Sequence, residues 1–61
     1  MEFKEKVYSA RMKLGMTQKQ FANKLGVGIA SINRWENGAS KPNKLKEYAF
    51  YEFCKENGIE A

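Results

Sequence analysis

Apolar residues in this chain recur at helical spacing. Phe3, Val7, Ala10 and Leu14 are separated by four, three and four residues, a single stripe that predicts a helix over about 3–14. Gly15 behind it suits the left-handed position that closes a helix. A second helix is expected from about Gln18 to Leu25, with Phe21, Ala22 and Leu25 on its buried face. Thr17 before it and Gln20 three residues later have the spacing of a capping box, and Gly26 ends it. A third segment spans about Ile29 to Asn37, entered through Gly28 and closed by Asn37-Gly38. A fourth begins after Pro42, with Asn43 as N-cap, and runs to about Glu56, ahead of Asn57-Gly58. Leu45, Tyr48, Ala49 and Phe53 share a face of it and are expected to pack inward. No useful length alternates apolar and polar residues, so no strand is expected. The pattern predicts an all-α fold, a compact bundle of four to five helices forming a single domain over 1–61.

The join between the second and third segments is the most informative spacing. Only Gly26-Val27-Gly28 separates them. A three-residue turn containing glycine sets two helices roughly perpendicular, as in a helix-turn-helix over about 18–37. Val27, apolar within a turn, is accounted for if it points into the core. Ala22 is small where the two helices meet. In such a unit the second helix is short enough to enter the major groove, ~12 Å wide, while the first crosses the backbone. Gln18 and Lys19 then lie at a helix N-terminus, where free N–H groups favour a phosphate.

Length and composition narrow the possibilities further. Sixty-one residues lie at the lower edge of what folds without a staple, and Cys54 has no second cysteine to pair with. Without histidine there is no Cys/His cluster for a metal, and neither a cofactor nor a small-molecule ligand is implied. An enzyme is disfavoured: there is no His or Asp, no Walker-type phosphate loop, and Cys54 lacks a histidine to activate it. No apolar run approaches the ~20 residues a bilayer demands, and the charged N-terminus has no signal-peptide core, so a cytoplasmic protein is expected. The net charge of +4 is unevenly spread. From Arg11 to Lys46 there are eight basic residues and one acid, Glu36, giving +7; the flanks hold three basic residues and six acids, giving −3. A basic middle suggests a surface facing a polyanion; the alternative by charge alone is a solvated face with no partner.

These residues carry a resemblance. The run TQKQFANKLGVGIASINRWENGASKP closely resembles the Cro/repressor-type helix-turn-helix family of phage repressors and small bacterial regulators. The matching features are R-x₅-T-Q from Arg11 to Gln18, the F-A-x-x-L-G-V core, Ile32 five residues after Val27, and R-W-E-N-G ahead of Lys41-Pro42. The match covers Arg11 to Pro42, about half the chain. It implies a five-helix domain that binds operator DNA, usually as a dimer, and is not an enzyme. The chain departs from the pattern in two places. Ile29 and Ala30 are apolar where the family usually carries a polar residue, so neither can hydrogen-bond a base, although both can meet thymine methyl groups. After Pro42 a single aromatic-rich segment stands where two short helices are usual, so the fifth helix is expected to be missing or merged into the fourth.

Within the third segment, Ile32 and Trp35 are expected to face inward, with partner contact the alternative for Trp35. Ile29, Ala30, Asn33 and Arg34 form the face available for base contact. Arg34 can reach guanine O6 and N7 with both arms of its fork, and Asn33 can read adenine. The alternatives are a phosphate contact or an idle charge for Arg34, and a local backbone bond for Asn33. Gln18 resembles the family's phosphate-clamping glutamine, with a local capping role as the alternative. Lys19, Ser31, Lys41 and Lys44 are expected at phosphates, and Asn37 and Gly38 are expected to offer backbone N–H groups to one. Glu36, the one acid in the basic middle, would repel DNA if it faced outward. It is expected to turn inward and pair with Arg11, as the family's matching residues do. Phe50 and Tyr51 either wrap the first helix around Phe3 and Val7 or contribute to a homodimer through 45–54, which would match a palindromic operator. The favoured function is a sequence-specific, repressor-like regulator; the alternative is an antirepressor- or antitoxin-like interaction module of the same fold.

Overall fold

The computed structural model describes residues 1–60, which form four helices: α1 (Phe3–Lys13), α2 (Gln18–Leu25), α3 (Ile29–Glu36) and α4 (Lys44–Glu56). Local chemistry explains the boundaries. Thr17 Oγ1 accepts the Gln20 N–H at 3.1 Å while Gln20 Oε1 accepts the Thr17 N–H at 2.9 Å, the expected capping box. Asn43 Oδ1 accepts the Lys46 N–H at 2.8 Å and starts α4. Leu14 and Asn37, placed inside helices by their spacing, are instead the residues that cap α1 and α3.

The turn between α2 and α3 works through Gly26, whose φ of 72° is left-handed. That conformation lets the Val27 N–H return to the Ala22 carbonyl at 3.0 Å. Val27 then packs against the core, as its place in a tight turn implies. Ala22 is 2% exposed, so α3 can lie close on α2, and α3 also packs against α1.

The core consists of Phe3, Val7, Ala10, Phe21, Ala22, Ile32, Trp35, Phe50 and Cys54. Phe50 joins its aromatic residues edge to face, with ring centroids 5.4 Å from Phe3, 6.3 Å from Phe21 and 5.3 Å from Tyr51. This arrangement corrects the expected face of α4. Leu45 and Tyr48 are 75% and 65% exposed, Ala49 is exposed too, and Phe53 is half-buried. The segment is apolar on more than one side, so helical periodicity alone does not select a face. Contact with Phe3 and Phe21 selects Phe50 and Cys54. Of the two roles open to Phe50 and Tyr51, the structure shows the wrapping of α1. The fifth helix of the resemblance does not form among the described residues.

Candidate nucleic-acid interface

At about 100° per residue, Ile32 and Trp35 define the inner side of α3, and they are 0% and 5% exposed. Trp35 meets the edge of Phe3 at 6.1 Å between centroids. The opposite side projects Ala30, Asn33, Arg34 and Asn37, all exposed, with Ile29 at its margin and 51% exposed. The four residues expected at bases therefore lie together on the surface. Asn37 Nδ2 donates to Asn33 Oδ1 at 3.2 Å, which steadies Asn33 and leaves its own amide N–H groups outward. Arg34 takes part in neither of the two ion pairs among the described residues. Ser31 is half-buried on the flank of α3, away from the outward face.

Glu36 is turned inward. Arg11 Nε and Nη2 donate to Glu36 Oε2 and Oε1 at 2.7 and 2.9 Å, a bidentate pair linking α1 to α3. The Arg11 and Glu36 side chains are 13% and 7% exposed. Arg11 Nη1 also donates to the Met16 carbonyl at 3.0 Å, and the Tyr8 ring lies 5.5 Å from the guanidinium. The hydrogen bonds to Glu36 raise the Arg11 pKa above its ordinary value, against the opposing effect of burial. Turning the one acid of the basic middle inward leaves the outward side of α3 without negative charge.

Gln18 joins this network. Its Nε2 donates to Glu36 Oε1 at 3.2 Å, a bond between α2 and α3 rather than a local capping bond. One amide hydrogen is held by Glu36, and the other makes no hydrogen bond among the described residues. The sequence carried no signal for this bond, because α2 and α3 are brought together only by the turn. Lys19, Lys41 and Lys44 are exposed. The expected backbone contact at Asn37 and Gly38 is corrected. The Asn37 N–H donates to the Asn33 carbonyl at 3.0 Å and the Gly38 N–H to the Trp35 carbonyl at 3.2 Å, closing α3. Neither N–H group is left for a phosphate, although the Asn37 side chain remains exposed.

Comparison with known proteins decides the family. The helix-turn-helix family profile matches residues 7–46, from the middle of α1 into the first turn of α4. The chain belongs to the helix-turn-helix family. Within it, the Cro/repressor-type resemblance holds, and helix-turn-helix domains of this kind are DNA-binding. The type II methyltransferase M1.ScrFI of Lactococcus lactis subsp. cremoris is similar to the chain, with 41% identity over 46 residues, covering 70% of this chain. The chain spans 12% of that relative's length, so the likeness concerns the helix-turn-helix unit alone. No solved structure matches the chain. No helix among the described residues is long and apolar enough to cross a membrane.

Proposed function

We propose that this helix-turn-helix protein binds double-stranded DNA sequence-specifically through α3 in the major groove and acts as a repressor-like transcriptional regulator in the cytoplasm of a bacterial or phage-infected cell. The observation that carries the reading is the division of α3. Ile32 and Trp35 fix the helix, while Ala30, Asn33, Arg34 and Asn37 project together from a side free of acids. Arg34 forks onto a guanine and Asn33 pairs with an adenine, each contact worth ~1–3 kcal/mol of discrimination. Ile29 and Ala30 meet thymine methyl groups. Gln18 and Lys19 at the start of α2, and Lys41 and Lys44 beyond α3, hold phosphates; Ser31 and the Asn37 side chain reach the backbone from the flanks. Lys44 and Lys46 supply a physical argument for the phosphate contacts. Both lie in the first turn of α4, where the helix dipole favours acids, so their charge is suited to an external anion.

The exposed side of α4, Leu45, Tyr48 and Ala49, is the surface for a homodimer on a palindromic operator. A second reading, a partner-binding module without specific DNA contact, draws on the exposed apolar Ile29 and Ala30. In neither reading is the domain an enzyme.

Salt separates the two readings. Neutralising three phosphates with Lys19, Lys41 and Lys44 gives a log–log slope of affinity against salt of about −2.7. Arg34→Ala should relax the preference at one guanine position and Lys44→Ala should weaken all duplexes alike. Salt-independent binding, or equal behaviour of the two variants, would refute the reading.

A further inference from the structure

A cleft of about 370 Å³ opens between the start of α1 and the α3–α4 connection, lined by Met1, Glu2, Phe3, Lys4, Trp35, Gly38, Ser40 and Lys41. Phe3 and Trp35 belong to the core and form its base, and the remaining residues form the rim. Trp35 is 5% exposed, yet its indole N–H donates no hydrogen bond within the described residues. No fully enclosed side-chain polar atom lacks a partner, so this N–H retains access to solvent, and Trp35 is one of the residues lining the cleft. A nearly buried tryptophan normally gives its N–H an acceptor.

The surroundings specify the acceptor's charge. Lys4 and Lys41 flank the cleft, and Ser40 adds a hydroxyl. Glu2 is the one acid there, and its side chain is 75% exposed with the carboxylate 3.9 Å from Lys4 Nζ. The Lys4 stem lies across Gly38, where a Cβ would come within 3.1 Å of Lys4 Cδ, so the glycine lets the lysine approach the rim. The final carbonyls of α3, which would repel an anion, are covered: Trp35 accepts from the Gly38 N–H at 3.2 Å and Arg34 from the Ala39 N–H at 2.9 Å.

The geometry points to a phosphate site of the DNA backbone in this cleft, with the Trp35 indole N–H and the Ser40 hydroxyl as neutral donors and Lys4 and Lys41 as the countercharge. It rests on the DNA-binding reading and extends it, because the tryptophan that anchors α3 also reports the backbone beside the groove. A core side chain holding a phosphate couples the seating of α3 directly to contact with DNA.

Trp35 is the single tryptophan, so the protein has one indole N–H resonance. A two-dimensional ¹H–¹⁵N titration of the full chain with a short random-sequence duplex should move that resonance downfield and saturate with binding. Inorganic phosphate at the same phosphate concentration should leave it in place, because free phosphate lacks the duplex's other contacts. Trp35→Phe should lower affinity for the duplex about tenfold with an unchanged salt slope, since a neutral donor releases no counterion. Lys41→Ala should reduce that slope by about one. Ser40→Ala, which leaves the core intact, should weaken binding severalfold and serves as the test if Trp35→Phe does not fold. An indole resonance unmoved by saturating duplex, an equal shift with free phosphate, or wild-type affinity in Ser40→Ala would overturn the site while leaving the DNA-binding reading in place. Absence of binding to any duplex would overturn both.

Discussion

Replacing Glu36 with alanine tests the network that joins α1, α2 and α3. The substitution removes both hydrogen bonds from the Arg11 guanidinium to the carboxylate, at 2.7 and 2.9 Å, and the Gln18 bond at 3.2 Å. The Met16 carbonyl remains as one acceptor for Arg11. With its side chain 13% exposed, Arg11 is left largely out of water and without its counter-ion. Breaking a buried pair from one side costs ~3–5 kcal/mol. Residual exposure and the Met16 bond place this case near the lower end, about 3 kcal/mol. A domain of this size has a total stability of roughly 3–9 kcal/mol, so the variant forfeits a third or more of it. At about 4–8 °C per kcal/mol, thermal unfolding followed by circular dichroism should show a Tm lower by about 12–24 °C. The loss should persist at high salt, because screening acts weakly on buried charges. Glu36→Gln, which keeps the shape and one acceptor, should fall between. A surface pair would contribute ~0–1 kcal/mol, so a Tm shift of only a few degrees that vanishes in salt would mean that Arg11 and Glu36 form no buried pair.

The other predictions are more local. Thr17→Ala removes the acceptor of the Gln20 N–H at the start of α2 and should cost about 1 kcal/mol in chemical denaturation, with Thr17→Ser close to wild type. Burial raises the Cys54 pKa, so the folded chain keeps a proton that the unfolded chain gives up at alkaline pH. Stability should therefore be level below the ordinary thiol range and decline as pH rises above it, narrowing the gap to Cys54→Ala measured by urea unfolding. If Leu45 and Tyr48 form the dimer surface, Tyr48→Glu should shift sedimentation at micromolar concentration toward the 7.0 kDa monomer without lowering Tm; a wild-type chain already monomeric there would count against the dimer.

Most of the fold could be read from the sequence because its signals are local. Thr17, Gln20 and Asn43 act on backbone groups three residues away, and Gly26 sets its turn through its own φ, so spacing alone identifies them. The inward side of α3 was legible for a related reason: Ile32 and Trp35 are the large apolar residues on one side of a short helix whose other side is mainly polar. In α4 the same logic fails. Its apolar residues cover more than one side, and Phe50 is chosen over Tyr48 only by where Phe3 and Phe21 lie, a fact of tertiary packing. The Glu36–Arg11 pair could be read from the resemblance and the isolation of one acid among bases. Its extension to Gln18 could not, since nothing in the chain order ties residue 18 to residue 36. The assignment of a phosphate to the Asn37 and Gly38 N–H groups failed because closing a helix at Gly38 uses those donors.

In this protein α3 is proposed to read bases through Arg34 and Asn33. Selection of duplexes from a random pool, run in parallel with the wild-type chain and Arg34→Ala, tests it most directly. The wild type should select a defined motif, in which one guanine position loses its preference when Arg34 is removed while the rest of the motif survives. Recovery of the same unselected pool by both proteins, or of an identical motif by both, would contradict it.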